Sequence, residues 1–329
     1  MYITGTGRCL PARVVANEEI ADALGLTPEQ IYKSSGILRR HWAASGETAS
    51  QLAAEALREA LDNAGRAPAD VDYLLFGTMT PDRFIPGSAS AVQHLAGLRE
   101  IPCLDIRAAC VNALYALQLA RALVKSGAAR CVAICLAEVQ SAFLDLSPAS
   151  GTLSMLFGDG AAALIVTDEP RDGALEILDV YLAAGGAHKD DLGLRSPGPE
   201  FGVKAEDATR ADFFPRMNGQ AVILHAGRKI VAACHAVLER NQLTINDIRW
   251  LVPHQANANL LAQIARNLKF ANPDGVVSVI QDTANTSSAS MGLALHELRR
   301  ANRAQTGDYL LLPAFGAGFT WGAGLCRAV

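Results

Sequence analysis

The chain has 329 residues, half of them hydrophobic and 19% charged, with a formal net charge of −4. That length and apolar content support a large packed core in one or two domains and argue against a disordered regulator. The absence of a basic block argues against a nucleic-acid groove, and no window approaches the roughly 18 uninterrupted apolar residues of a membrane span.

From the N-terminus, MYITGTGRCLPARVV lacks the charged flank and continuous apolar run of a signal peptide. The seven cysteines are scattered, without zinc or disulfide spacing, which predicts a reduced, cytoplasmic protein with no metal site. Leu52, Ala53, Ala56, Leu57, Ala60 and Leu61 fall on one helical face, followed by a polar turn and the apolar run YLLF. The segment CLDIRAACVNALYALQLARALVKSGAARCVAICLAE reads strand, tight turn, helix, strand, with Cys110 in the turn. FGDGAAALIV reads as a glycine turn and a buried strand. Residues 185–219 are polar and turn-rich, and such a long connection is expected to cover an entrance.

The remainder repeats the beginning. Ile230, Ala233, Cys234, Val237 and Leu238 form a helical face, followed by a turn and the strand leading to VPHQAN. The segment SVIQDTANTSSASMGLALHELRRANRAQTGDYLLLPAF again reads strand, turn, helix, strand. Val71 and Ile248 are 177 positions apart, and Cys131 and Tyr309 are 178 apart. That nearly constant register predicts a duplication, with an N-terminal half over 1–170 and a C-terminal half over 171–329. Each half should form a sheet covered by helices, with chemistry at the strand-to-helix turns.

Three side chains stand at such turns. A free cysteine is ordinarily a small buried hydrophobe, but Cys110 meets the start of a helix, where unpaired N–H groups and the dipole favour a nucleophilic thiolate. His254 ends a buried strand and begins a polar turn. It is either a packing histidine or an imidazole able to exchange protons in a cavity. Asn285 lies in a segment rich in cap residues, which the duplication sets opposite the Cys110 turn. The glycines of AFGAGFTWGAG serve either a tight turn or a backbone N–H that holds an oxyanion.

Taken together, ITGTGRCLPARVVAN, SSGILRRHW, DIRAAC, LFGDGAAA, MNGQAV, VPHQAN, ANTSSAS and FGAGFTWGAG resemble, in order and spacing, the β-ketoacyl-acyl-carrier-protein synthase III-type condensing enzymes of the thiolase superfamily. The resemblance spans nearly the whole chain and implies an α/β, thiolase-like duplicated fold in five layers, αβαβα. It implies a catalytic Cys110, His254 and Asn285, and an oxyanion hole from the backbone N–H groups of Cys110 and Ala317. Phe84, Ile85, Gln220, Ile223 and Phe315 are implied as substrate-binding residues. The implied reaction is acyl transfer to Cys110 followed by decarboxylative Claisen condensation with a malonyl thioester. It would serve fatty-acid initiation or a specialised polyketide or quinolone-like route. No cofactor is implied beyond acyl and malonyl thioesters of CoA or acyl carrier protein, and the implied assembly is a homodimer.

The sequence also departs from the family pattern. Gln30, Ser34 and Ser150 stand where acyl-CoA-primed members carry a tryptophan and two arginines, and Asn259 replaces an arginine that helps dock the carrier, with Arg266 and Lys269 nearby. Ala284 occupies a position where family members often have glycine, and VNAL follows the nucleophile. The first four departures bear on the acyl donor, and Ala284 with VNAL bears on substrate specificity. The alternatives are acyl transfer to an oxygen or nitrogen nucleophile without condensation, against which Asn285 speaks, and a silent partner subunit, against which Cys110 and His254 speak.

Overall fold

The computed structural model describes residues 1–195 and 210–329. Nine strands form one sheet. From one edge they are Ile248–Leu251, Tyr309–Gly316, Thr320–Ala328, Leu175–Ala184, Tyr2–Cys9, Gly160–Thr167, Cys131–Glu138, Tyr73–Gly77 and Cys103–Ile106. The seam between halves is short, pairing Tyr2 with Glu176 and Ile3 with Leu175.

The strand order repeats about this seam. In the N-terminal half, Cys103–Ile106 and Cys131–Glu138 flank Tyr73–Gly77 in parallel, and the two remaining strands follow antiparallel. In the C-terminal half, Val276 makes a parallel bridge to Leu251, Ile248–Leu251 runs parallel to Tyr309–Gly316, and two antiparallel strands follow. Strands buried on both faces need continuous apolar runs, and Cys131–Glu138 and Gly160–Thr167 are buried at every position.

Five layers result. Helices Asn112–Lys125 and Ser290–Arg300 lie between the sheet halves, where Leu114, Leu117, Met291 and Leu295 share one core with Ile134, Leu164, Leu310 and Leu312. Helix Ala49–Ala64 covers the outer face of the N-terminal half. Helices Gly219–Arg240 and Ala258–Asn267 cover the other outer face. The thiolase-like layered α/β fold is therefore present.

Local chemistry sets these elements. Thr48 caps Ala49–Ala64 by accepting from the Gln51 N–H, Gln51 returns the bond, and left-handed Gly65 ends the helix. The helix rides unusually close to the first strand. A Cβ on Gly5 would stand 2.2 Å from the Ala60 carbonyl oxygen, and one on Gly7 would stand 2.1 Å from that of Ala56. The GTG of the opening sequence is a flat track for an alanine-faced helix.

Helix Gly219–Arg240 is long and apolar enough by composition to cross a membrane. Here its Ala226, Ile230, Ala233 and Val237 pack in the C-terminal outer core. Of residues 185–219, positions 196–209 lie outside the described residues. The flanking parts form a short antiparallel pair, Leu192–Gly193 with Arg216–Met217.

Candidate active site

The site assembles where the two halves meet at their strand ends. Cys110 occupies a single 3-10 turn, Ala109–Val111, directly before helix Asn112–Lys125. The Asn112 side chain accepts the Ala108 N–H at 2.6 Å and closes that turn. Ala109 has φ +50°, a left-handed conformation costly for a residue with a Cβ. Across from it, Gly316 ends its strand against the turn. A Cβ at Gly316 would stand 2.9 Å from the Cys110 backbone nitrogen. Glycine there lets Ala317 reach the cavity that Cys110 also lines.

That cavity has a volume of about 340 Å³ and is bordered by Cys110, Ala317, Ser287, Phe84, Phe143 and Phe157. Leu192, Leu194 and Pro215, from the described ends of the 185–219 connection, line it as well.

Asn285 reaches the site through the FGDG segment, which forms part of the support. Asn285 N–H donates to the Leu156 carbonyl at 2.9 Å, and Gly158 N–H donates to the Asn285 carbonyl at 3.2 Å. The Asn285 Oδ1 accepts the Ser287 N–H at 2.8 Å. This fixes the amide so that its NH₂ is the group left to meet a ligand. Ser287 Oγ lies 3.4 Å from Cys110 Sγ.

His254 is buried and joins the same segment three residues beyond Ser287. Its Nδ1 is 2.7 Å from Ser290 Oγ, and that oxygen also accepts the Gln255 N–H at 3.1 Å. When the Ser290 hydroxyl donates to Nδ1, the proton of the neutral imidazole resides on Nε2. Burial pushes the His254 pKa down to about 4, so the ring is neutral near pH 7.

Cys110, Asn285 and His254 are thus tied to the span Asn285–Ser290 by Ser287 and Ser290. His254 and Asn285 are not among the cavity-lining residues. The expectation that the helix N-terminus favours thiolate at rest does not hold. Burial pushes the Cys110 thiol up to about 11, and the Ser287 hydroxyl opposes this only in part. Removal of the sulfur from water outweighs the hydrogen bonds that favour its anion.

Of the five substrate-binding expectations, Phe84 lines the cavity. Ile85, next to it, is 79% exposed and Phe84 70%. Gln220 and Ile223 are placed elsewhere, in a separate depression with Gln263 and Asn267. Ile223 shares the helical face of Ala226, Ile230 and Ala233, but it sits in the first turns, ahead of the buried stretch that begins at Ala226, and is 55% exposed. Phe315 is also not on the cavity wall. It is buried in the C-terminal outer core, its ring centroid 4.8 Å from that of Phe319.

Sequence reading missed Glu138, at the end of a buried strand. It accepts hydrogen bonds from Thr80 Oγ1 at 2.8 Å, Met79 N–H at 3.1 Å, Gln140 Nε2 at 3.3 Å and Ser288 N–H at 3.4 Å. The carboxyl therefore braces two walls of the site, and burial raises its pKa to about 7. A lone acid closing the apolar run CVAICLAE was its only signal.

The departures from the family pattern have local structural roles. Gln30 and Thr27 form a reciprocal cap on helix Pro28–Ser35. Asn259 donates to the Ser34 carbonyl at 2.9 Å, and Ser150 Oγ donates to Asp145 at 2.9 Å. Among the described residues no group of three His, Cys, Asp or Glu side chains could hold a metal ion.

Comparison with known proteins agrees with this architecture. Residues 104–186 match the family model for 3-oxoacyl-[acyl-carrier-protein] synthase III, residues 238–328 its C-terminal model, and residues 33–142 the thiolase N-terminal domain. The chain is 41% identical to β-ketoacyl-[acyl-carrier-protein] synthase III of Rhodospirillum rubrum and 36% identical to that of Chlamydia caviae. These alignments cover 99% of this chain and 98% and 96% of those proteins. The structure of 3-oxoacyl-[acyl-carrier-protein] synthase III from Aquifex aeolicus VF5 superimposes with a TM-score of 0.90 at 32% identity, covering 99% of both chains. The priming β-ketosynthase from the R1128 polyketide biosynthetic pathway does so with 0.89 at 31%, covering 99% of this chain and 95% of that one. With family models and full-length relatives matched over a shared fold, the chain belongs to the β-ketoacyl-acyl-carrier-protein synthase III family of condensing acyltransferases.

Proposed function

We propose that Cys110 accepts an acyl group from a thioester of CoA or acyl carrier protein and passes it to the carbanion formed by decarboxylation of a malonyl thioester. The observation that carries this reading is the Asn285–Ser290 span, from which Ser287 meets the Cys110 sulfur and Ser290 orients His254. In the first half-reaction Cys110 sulfur attacks the thioester carbonyl and the carbon–sulfur bond to the carrier breaks. The thiol proton leaves with the carrier, and the backbone N–H groups of Cys110 and Ala317 hold the tetrahedral oxyanion.

In the second half-reaction, His254 Nε2–H and the Asn285 NH₂ donate to the malonyl thioester carbonyl. Carbon dioxide leaves, the negative charge develops on the held oxygen, and the α-carbon attacks the acyl-cysteine carbonyl; the carbon–sulfur bond to Cys110 breaks, and the released thiolate takes a proton from water. Two neutral donors suit this step, because they stabilise an enolate without protonating it. The fixed Asn285 amide favours condensation over plain transfer to oxygen or nitrogen.

The active assembly is a homodimer, a reading supported by Phe84 and Ile85, which the single chain leaves exposed beside the cavity mouth. The test is intact-protein mass spectrometry with acyl thioesters, then malonyl thioester. Acylation of Cys110 followed by carbon dioxide release and a β-ketoacyl product is expected. An acyl-enzyme that transfers only to hydroxyl or amine acceptors would replace this reading with the non-condensing one.

A further inference from the structure

We infer that the acyl group accepted at Cys110 carries a carboxylate on its chain, held by Arg83 and Arg107. The inference rests on the reading of Cys110 as acyl acceptor. The cavity wall is largely apolar, with Phe84, Phe143, Phe157 and Leu194, and most of its polar groups are already committed. Thr80 and Gln140 donate to Glu138, and the Asp82 carboxylate accepts the Ser50 N–H at 3.1 Å.

Arg83 and Arg107 are different. Both line the cavity, both are exposed in the single chain, and neither guanidinium has a hydrogen bond or ion pair among the described residues. Two guanidinium groups without a protein counter-charge among the described residues, beside apolar walls, are a setting for an anion. A guanidinium matches a carboxylate with two parallel hydrogen bonds.

Position distinguishes this anion from the phosphate of a carrier arm. Arg107 precedes Cys110 by three residues, so their Cα atoms lie within about 11 Å of each other. Arg107 and Cys110 line the same cavity, so a group held by Arg107 shares the chamber of the acyl carbons, whereas the phosphate of a phosphopantetheine arm sits at the end remote from its sulfur. Loading itself is a plain thioester exchange: the carrier leaves as a thiol, the acyl group moves to Cys110, and the distal carboxylate is unchanged.

The test compares hexanoyl and adipoyl thioesters, each on CoA and on phosphate-free N-acetylcysteamine, by the rate at which the intact protein gains acyl mass. A preference for adipoyl of about tenfold or more on both carriers is expected, the size of one or two charge-assisted hydrogen bonds. Arg107→Met should collapse the adipoyl-to-hexanoyl ratio, Arg83→Met should lower it, and Arg107→Lys should restore part of it. Equal or faster acylation by hexanoyl in the unmodified protein overturns the inference while leaving the proposed reaction standing. An Arg107→Met effect confined to CoA thioesters, equal for both acyl groups, also overturns it and assigns the arginines to phosphate. Failure of all four thioesters to load Cys110 overturns the proposed reaction and this inference together.

Discussion

Ser287 Oγ lies 3.4 Å from Cys110 Sγ, joining the C-terminal half of the chain to the nucleophile of the N-terminal half. The serine is held in place by its own N–H, which donates to Asn285 Oδ1, and by a left-handed backbone at φ +46°. Its hydroxyl stabilises the thiolate against burial. Ser287→Ala should therefore slow alkylation of Cys110 by iodoacetamide about three- to tenfold at pH 8, the effect of up to about one pKa unit. An unchanged rate would show that the contact does not stabilise the sulfur anion.

The pH profile of that alkylation follows from the same balance. The thiol is pushed up to about 11, so only a small fraction is ionised near neutrality, and that fraction grows with pH. Labelling at Cys110, followed by peptide mass spectrometry, should rise roughly tenfold per unit between about pH 7 and 9 without a plateau. A plateau near pH 7 would indicate a resting thiolate paired with charged His254.

Ser290 holds the His254 ring through Nδ1. In Ser290→Ala the Nδ1 partner is lost, the Gln255 N–H loses its acceptor, and the ring is free to change tautomer. Malonyl decarboxylation should fall by about tenfold or more, with loading of Cys110 affected much less. Separate measurement of acyl-enzyme formation and carbon dioxide release checks this split.

Gly316 tests the tolerance of the Cys110 turn. A methyl group there would sit 2.9 Å from the Cys110 nitrogen and 3.3 Å from the Ala109 Cβ, so either the turn or the strand end must shift. Gly316→Ala should reduce acyl-enzyme formation by about 10²-fold, as expected for a misplaced oxyanion donor. Far-ultraviolet circular dichroism should show the fold retained.

Glu138 makes stability depend on pH. Its carboxyl titrates near 7 in the folded protein against an ordinary 4.5, so the folded state binds the proton more tightly. Its contribution is fully present below about pH 4.5 and is lost as pH rises toward 7, an amount on the order of 3 kcal/mol. Glu138→Gln should flatten the melting temperature across that window. A profile as steep as that of the unmodified protein would assign the dependence to other groups.

The duplication was legible because buried strands and amphipathic helices leave periods in the sequence, and Val71 with Ile248 kept register with Cys131 and Tyr309. Cys110, His254 and Asn285 were legible as residues at strand-to-helix turns. The resting state of the sulfur was not, since desolvation depends on what surrounds it in three dimensions. Ser287 and Ser290 were hidden within a cap-rich stretch, where every hydroxyl looks like a helix cap. Gln220 and Ile223 were proposed from likeness to a motif; Ile223 shares the face of Ala226, Ile230 and Ala233, and periodicity does not show where along that helix the core ends.

The strand Tyr2–Cys9 pairs with Gly160–Thr167 on one side and with Leu175–Ala184 on the other. During synthesis, this strand leaves the ribosome long before either of its ladder partners, Gly160–Thr167 and Leu175–Ala184, has been made. Its neighbours arrive together, on either side of the junction between the two halves. Nascent chains halted before this point should leave the GTG segment open to proteolysis, and chains halted after it should protect the segment in one step.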